Sequence, residues 1–234
     1  MPSFIYSDGD VVCEGYAALP AGDGPFPAVL IAHNWAGQSD ADNAIADKLA
    51  AMGYVGVAID VYGRGLRGDL QGDNSALMGV WMADRAALQR RLLAAITAVA
   101  AHPTVDAGRI ALIGYCFGGL CALDLARSGT DKVKGVVSFH GVYAPSGLAA
   151  EPISAKVLVL HGWDDPMTPP DAMVALAKEL SAAGADWQTH AYGGTMHAFT
   201  FPLANNPAGG IMYNADAARR SWRAMSDFLS EVFA

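Results

Sequence analysis

The chain has 234 residues, of which 53% are hydrophobic and 16% are charged. This composition provides one large core and leaves little material for a disordered tail, so we expect a single domain over residues 1–234. The formal net charge is −8, and the sequence has no basic run. It therefore lacks the basic surface with which proteins bind nucleic acid or anionic lipid. The sequence has no signal-peptide pattern and no apolar segment of membrane-spanning length, which predicts a cytoplasmic protein without membrane contact.

Apolar runs rich in β-branched residues recur along the chain, each bounded by Gly, Pro or charged residues, and they predict strands. An early alternating segment, Val11–Leu19, predicts a strand at the edge of the sheet. The other predicted strands are, in chain order, Ala28–Ala32, Tyr54–Ile59, Arg109–Tyr115, Val133–Phe139, Lys156–Leu160 and Trp187–Tyr192.

Longer stretches with apolar residues at helical spacing separate most of these strands. They are Asp42–Met52, Ala76–Ala101, Phe117–Arg127, Asp171–Ala183 and Ala215–Phe233. The Gly- and Pro-rich segments Pro20–Pro27 and Tyr62–Asn74 predict loops. Because alternating strands and helices form right-handed crossovers, we expect an α/β fold with a mostly parallel central sheet and helices on both faces. Ligands bind such sheets beyond the carboxyl ends of the strands.

The most informative segment runs from an apolar strand through Gly114-Tyr-Cys116-Phe-Gly118 into a helix. Small residues on both sides of Cys116 indicate a nucleophile elbow, a very tight strand-to-helix turn that holds the nucleophile in a strained conformation. The following helix would point its N-terminal amides at the sulfur and favour the thiolate. A buried structural cysteine beside a tight turn, or a glycine-rich phosphate loop, is the alternative interpretation.

Two later strand ends supply partners for Cys116. Asp165 lies in a Gly-Trp-Asp-Asp-Pro segment after one strand, and His197 lies in a Gly-Gly-Thr-Met-His-Ala-Phe segment after the last one. The chain order nucleophile, acid, histidine is that of the α/β-hydrolase fold. Asp165 would orient the imidazole and stabilise the imidazolium, and His197 would exchange protons with Cys116 and the leaving group. Asp164, or a helix-capping role for Asp165, is the alternative.

The fold also predicts two backbone donors for an oxyanion. One is the amide of Phe117, directly after the nucleophile, and the other comes from the loop after an early strand. Here that loop is His33-Asn-Trp-Ala-Gly37, so we expect the amide of Trp35 to be the second donor. The alternative is an ordinary strand-to-helix turn in which Trp35 covers the core.

The remaining histidines and cysteines show no spacing typical of metal ligands or disulfides. His33, His140 and His161 follow predicted strands and are expected to border the site or brace its loops. Cys13 and Cys121 lie in apolar segments and predict core positions. The histidines that occur singly, without an HxH or HExxH pair, are His33, His102, His140, His161 and His190. We therefore expect no metal.

Together these motifs resemble the dienelactone hydrolase family. The resemblance rests on Gly-Tyr-Cys116-Phe-Gly-Gly, His-Gly-Trp-Asp-Asp165-Pro, Tyr-Gly-Gly-Thr-Met-His197-Ala-Phe and the closing Arg219-Arg-Ser-Trp222 helix, and it covers essentially the whole chain. It implies hydrolysis of esters or lactones through an acyl-thioenzyme without a cofactor. Some similar cysteine-bearing members also cleave neutral organophosphate triesters, and this sequence is most similar to those.

Two positions depart from the family pattern that the resemblance implies. The family places a glutamate, which takes part in activating the cysteine, where this chain has Asn34, and an arginine that binds a substrate carboxylate where it has Phe201. Asn34 cannot accept a proton, so activation would rest on His197 and the helix terminus. We therefore expect a small neutral, aromatic or aryl-ester substrate. The residues expected to contact it are Asn34, His140, Phe199, Phe201 and Trp81.

Several functions stay open at this point. The residues do not rank carboxylic esters or lactones against phosphotriesters. A thiol-dependent transferase or redox protein and a non-catalytic binding domain are the alternatives from other classes. The oligomeric state is open between a monomer and a homodimer.

Overall fold

The structure is a computed structural model that describes residues 3–234. Its strands are β1 (Ser3–Asp8), β2 (Val11–Ala18), β3 (Phe26–Ala32), β4 (Val55–Ile59), β5 (Val105–Tyr115), β6 (Gly135–Phe139), β7 (Lys156–Gly162), β8 (Trp187–Tyr192), β9 (Asn205–Asn206) and β10 (Ile211–Met212). Its helices are α1 (Asp40–Ala51), α2 (Ser75–Ala83), α3 (Arg85–Ala100), α4 (Phe117–Arg127), α5 (Pro170–Ala182) and α6 (Ala215–Val232), and a short 3-10 helix covers Pro207–Gly209.

Eight strands form one sheet in the order β1-β2-β4-β3-β5-β6-β7-β8. All pairs from β4 across to β8 are parallel, whereas β2 runs antiparallel to both β1 and β4. The expected mostly parallel α/β sheet is therefore confirmed.

Helices cover both faces of this sheet. Alternate side chains of β3 enter two separate cores, Leu30 on one face and Ile31 on the other. The core that contains Ile31 is closed by α1 and α6, and the core that contains Leu30 is closed by α3, α4 and α5. Every residue of α4 is buried, so this helix lies in the interior, where its position is fixed by packing.

Capping residues fix where the helices begin. The α1 helix starts with a capping box in which the Asp42 carboxylate accepts the Ser39 amide at 2.9 Å. The α6 helix starts at Asn214, whose side chain accepts the Ala217 amide at 3.0 Å. Both helices pack over the same face of the sheet.

Two predicted elements need correction. The single helix predicted over Ala76–Ala101 is two helices, α2 and α3, because Asp84 leaves the helical conformation (φ −128°, ψ 82°) and caps the second one through the Ala87 amide at 2.8 Å. The predicted edge strand is the second strand, since β1 pairs along its outer side. Alternation did not reveal β1 because its inward positions include Asp8, which is buried in an ion pair with Arg91.

The carboxyl ends of the parallel strands gather the candidate residues at one edge of the sheet. Trp35 follows β3, Cys116 follows β5, Asp165 follows β7 and His197 follows β8. The β3 and β5 strands are neighbours, as are β7 and β8. None of the helices in the described part of the chain combines the length and apolar character that a membrane crossing needs.

Candidate active site

Cys116 sits on a strained turn between β5 and α4. Its backbone has φ 57° and ψ −114°, a conformation that L-residues rarely adopt. The Cys116 amide donates to the Phe139 carbonyl at 3.1 Å, which keeps the turn attached to β6. The α4 helix begins at the next residue, so its first backbone N–H groups and the positive end of its dipole lie beside the sulfur.

The flanking glycines make this turn possible. A Cβ atom on Gly114 would lie 1.9 Å from the Gly118 carbonyl oxygen, and one on Gly118 would lie 2.0 Å from the Ala32 carbonyl oxygen. These contacts are with backbone atoms, which cannot rotate away as a side chain can. The elbow therefore requires glycine at both positions, as the sequence pattern predicts.

Asp165 and His197 meet in a buried pair. The Nδ1 atom of His197 lies 2.6 Å from Oδ2 of Asp165, and the two side chains are 3% and 0% exposed. The other oxygen of Asp165 accepts the Met167 amide at 2.8 Å. Asp164 is exposed, and its side chain makes no hydrogen bond within residues 3–234, so Asp165 rather than Asp164 is the partner of the histidine.

The other ring nitrogen of His197 has no partner in the described chain. Nε2 is buried and has no hydrogen-bond partner within residues 3–234. Burial lowers the pKa of His197, but the interaction with Cys116 and the hydrogen bond to Asp165 outweigh burial and raise the pKa to about 10. Both Cys116 and Asp165 are therefore near enough to His197 to shift its pKa.

The loop after β3 is held against the elbow by two neighbouring rings. His33 donates from Nδ1 to the Asn34 carbonyl at 2.6 Å and accepts the Val61 amide on Nε2 at 3.1 Å. The Tyr62 hydroxyl donates to the Trp35 carbonyl at 2.9 Å. Within the described chain, the amides of Trp35 and Phe117 make no hydrogen bond to another residue, so both remain available to an oxygen atom of a ligand.

A comparison with known families assigns this arrangement. The profile of the dienelactone hydrolase family matches residues 13–233. The chain belongs to the dienelactone hydrolase family. It is 27% identical over 227 residues to a carboxymethylenebutenolidase-like homologue from Aquifex aeolicus, with 95% of each chain covered. An uncharacterised protein from Caenorhabditis elegans is 37% identical over 150 residues, which are 63% of this chain and 95% of that protein.

Solved structures give the same assignment. A dienelactone hydrolase-like promiscuous phosphotriesterase from metagenomic libraries is 34% identical and superposes with a TM-score of 0.90, covering 100% of this chain and 98% of its own. A second structure, m3DLH, is also 34% identical, with a TM-score of 0.91 over the same shares. This dienelactone hydrolase family member is thus a hydrolase with an α/β-hydrolase-like fold.

Two of the predicted substrate contacts lie where they can still meet a ligand, and a third is almost covered. Asn34 is half-buried, and its Oδ1 accepts the Ala36 amide at 2.8 Å, which leaves the NH₂ group as the free end of the side chain. Phe201 is half-buried. Trp81 is 9% exposed and packs against the Arg91 guanidinium at 4.8 Å, so little of its ring remains for a substrate.

Two other predicted substrate contacts are buried in the structure. Phe199 has no exposed surface and belongs to the core beneath α6, where its ring meets Tyr192 at 5.5 Å. His140 is 2% exposed; its Nε2 pairs with the Thr200 hydroxyl at 2.8 Å, and its ring stands edge-on to His197 at 5.2 Å. The loops after β6 and β8 have positive φ angles at His140 and Ala198.

The buried histidines brace the site and stay uncharged. Burial lowers the pKa of His33 to about 4 and lowers that of His140 well below its ordinary value, where the charge on His197 adds to the effect. His161 pairs through Nδ1 with the Tyr143 hydroxyl at 3.1 Å. The strand-end positions of these histidines predict that they border the site or brace its loops. These contacts fit the bracing role.

The sequence did not identify Tyr62 as a residue that supports the site. Tyr62 packs between His33 at 4.6 Å and Phe117 at 5.7 Å while it holds the Trp35 carbonyl. Its position shortly after β4, at the edge of the sheet that carries the candidate site, was the signal that could have identified it.

Cys13 and Cys121 are both buried, as predicted for core residues. Residues 3–234 contain no group of three or more His, Cys, Asp or Glu side chains arranged to hold a metal ion.

Proposed function

We propose that this hydrolase cleaves small neutral carboxylic esters or lactones with Cys116 as nucleophile, His197 as proton carrier and Asp165 as the group that orients it. The observation that carries the proposal is the 2.6 Å contact between His197 Nδ1 and Asp165 Oδ2, which leaves Nε2 unpaired. Cys116 also raises the pKa of this ring. A hydrogen bond at Nδ1 fixes the tautomer and leaves Nε2 to exchange protons.

The first half of the reaction forms an acyl-thioenzyme. The thiolate sulfur attacks the ester carbonyl carbon, and the carbonyl electron pair moves onto oxygen. The carbon–oxygen bond to the leaving group then breaks, and the His197 imidazolium gives its Nε2 proton to the departing alkoxide. The raised pKa of His197 supports a protonated imidazole that can give this proton to the leaving group.

The second half returns the enzyme to its starting state. Neutral His197 takes a proton from water on Nε2 while the water oxygen attacks the thioester carbon. Collapse of the tetrahedral intermediate expels the Cys116 thiolate and releases the carboxylic acid. Only water is consumed, so the proposed reaction needs no cofactor.

The unpaired amides of Phe117 and Trp35 support an oxyanion hole at the elbow. Donors that are already oriented stabilise charge that develops in the transition state at little cost in reorganisation. The bracing of the Trp35 loop by His33 and Tyr62 provides that orientation. The free NH₂ group of Asn34 adds a further donor for a substrate oxygen, where a carboxylate would repel it.

The charges around the site favour a neutral substrate. The buried arginines of the described chain already have carboxylate partners: Arg85 binds Asp124, Arg91 binds Asp8 and Arg127 binds Glu179. Arg67, beside the oxyanion loop, is bound to Asp60 and to Gln38. With Phe201 in place of a cation, no free guanidinium on these elements would pair with a substrate carboxylate.

Phosphotriester hydrolysis is the second candidate function. It is favoured by the structure that is 34% identical over the whole chain and whose own description is that of a promiscuous phosphotriesterase. In this reaction the Cys116 sulfur forms a bond to phosphorus and the bond to the aryloxide breaks. Water then cleaves the sulfur–phosphorus bond and releases a phosphodiester, with the same amides holding the phosphoryl oxygen.

Mass spectrometry of the intact protein and of its peptides tests both candidates. The protein is exposed briefly to p-nitrophenyl acetate or to an aryl diethyl phosphotriester and then quenched in acid. We expect an acetyl or diethylphosphoryl mass on the peptide that contains Cys116, and none on the peptide that contains Cys13.

Cys116→Ala and Cys121→Ala are the paired variants for turnover. Cys116→Ala should lose turnover of both substrates, while the buried Cys121→Ala should retain it. Undiminished turnover in Cys116→Ala would exclude the proposed nucleophile. A folded wild-type protein that turns over no ester, lactone or phosphotriester would instead favour a non-catalytic binding domain, and turnover that requires a thiol acceptor in place of water would favour a transferase.

A further inference from the structure

A short hairpin after the histidine loop contains no catalytic candidate, yet it contacts His197 and Pro166, the residue that follows Asp165. It consists of β9, the 3-10 turn Pro207–Gly209 and β10, and it is called the 205–212 hairpin here. Its two strands pair antiparallel, with Asn206 opposite Ile211. The Asn206 side chain accepts the Gly209 amide at 3.1 Å, which closes the turn.

The hairpin holds the main chain of His197 on both sides. The His197 amide donates to the Gly210 carbonyl at 2.9 Å, and the Met212 amide donates to the His197 carbonyl at 3.1 Å. His197 lies beyond the end of β8, and the next residue, Ala198, has φ 54°. The hairpin therefore supplies backbone partners that the central sheet does not provide at this position.

The same hairpin also touches the loop of the acid. Gly210 has φ 73°, and a Cβ atom built on it would lie 2.1 Å from Cγ and 2.5 Å from Cδ of Pro166. Pro166 directly follows Asp165, so the main chain of Gly210 packs tightly against the residue next to the acid. One residue thus hydrogen-bonds to the histidine backbone and packs on the acid loop.

We propose that the 205–212 hairpin is a positioning element that sets Asp165 and His197 at their bonding distance, with Gly210 as its positioning residue. The proposal rests on the proposed function only where turnover is measured. A hairpin attached to both loops couples them, so a push between Gly210 and Pro166 must move the carboxylate relative to the imidazole. A misplacement of about 1 Å in such a pair costs about 10²-fold in rate.

Gly210→Ala tests the proposal, with Gly184→Ala as its matched control. Gly184 has nearly the same backbone conformation, φ 72°, but nothing lies within 4 Å of the position that its new methyl group would take. Both variants place alanine at nearly the same positive φ, and only Gly210→Ala collides with Pro166. We expect kcat to fall about 10²-fold in Gly210→Ala with little change in KM, and both constants to stay near wild type in Gly184→Ala.

Pro166→Ala removes the ring with which the new methyl collides. We expect this variant alone to lower kcat only severalfold, and the double variant Gly210→Ala/Pro166→Ala to return to the level of Pro166→Ala. A double variant as slow as Gly210→Ala would overturn the proposal, because the defect would then come from backbone strain alone.

A measurement without substrate separates this proposal from the proposed function. A proton held between His197 Nδ1 and Asp165 Oδ2 gives a far-downfield proton NMR signal, identified by its loss in His197→Ala. We expect the signal to shift or broaden in Gly210→Ala and in Pro166→Ala, and to stay unchanged in Gly184→Ala. Pro166→Ala decides the matter if Gly210→Ala does not fold. An unmoved signal in it would overturn the positioning role, whatever Cys116→Ala shows in turnover.

Discussion

The two halves of the candidate site are built in different ways. The nucleophile half is compact in sequence: Gly114, Cys116 and Gly118 lie within five positions, and a Cβ atom on either glycine would lie about 2 Å from a backbone oxygen. The acid–histidine half is dispersed. Asp165 and His197 come from two loops separated by a helix and a strand, and a third segment, the 205–212 hairpin, holds them together.

Because the two halves are built differently, substitutions in them should have different effects. A local turn whose backbone atoms are in contact has no room to relax, so a change there should act first on folding. A pair of loops tied by a hairpin can shift without unfolding, so a change there should act first on the rate of the reaction. Variants of the two halves, each measured beside a control variant, test this difference.

Gly118→Ala should produce the largest effect. The new Cβ would lie 2.0 Å from the Ala32 carbonyl oxygen, and relief would require α4 to separate from β3. We expect a loss of about 4 kcal/mol or more in the free energy of unfolding, measured by urea denaturation and circular dichroism. Gly79→Ala is the control: nothing lies within 4 Å of its Cβ position inside α2, so we expect a gain of about 0.5–1 kcal/mol.

If Gly118→Ala proved as stable as Gly79→Ala, close backbone approach would not be what defines the elbow. The contrast between a folding defect in one half and a rate defect in the other would then disappear.

Asp165→Asn should leave folding nearly intact and slow the reaction. An amide cannot hold His197 as the carboxylate does and cannot stabilise the imidazolium, so we expect kcat/KM to fall about 10²–10⁴-fold. Asp164→Asn, one residue away and exposed, should stay within about twofold of wild type because surface substitutions change free energies by about 0.5 kcal/mol or less. Equal losses in the two variants would contradict the assignment of the acid.

The pH dependence of stability distinguishes the two halves by sign. On the nucleophile side, burial lowers the pKa of His33 to about 4, whereas His197 in the other half has its pKa raised. Between about 6.5 and 4 the unfolded chain binds a proton at His33 that the folded chain does not. Acidification through this window should therefore destabilise the protein by on the order of 1 kcal/mol per pH unit from this residue.

His33→Gln should flatten that acid dependence, since glutamine does not titrate. Denaturation series at pH 7, 6 and 5 measure the slope, with the exposed His102→Gln as the variant whose slope should match the wild type. An unchanged slope in His33→Gln would mean that His33 carries no part of the acid destabilisation.

Features with a short sequence range were predicted well. The α4 helix occurs over the predicted Phe117–Arg127, and β8 over the predicted Trp187–Tyr192, because burial and periodicity coincide there. The break at Asp84 and the strand β1 were not predicted, since one depends on a side-chain cap and the other on an inward-facing Asp8 paired across the sheet. The exposure of aromatic and histidine side chains beside the site was the least predictable feature, since Phe199 and His140 are both buried.

Glycine spacing and chain order are local or one-dimensional signals, so the amino-acid sequence was enough to predict the family, the parallel sheet and the candidates Cys116, Asp165 and His197. Tertiary structure decided which of two adjacent aspartates meets the histidine, which aromatic rings are buried, and that a hairpin far along the chain braces the pair. Those outcomes depend on how loops pack against one another, and no periodic pattern records the direction in which a loop side chain turns.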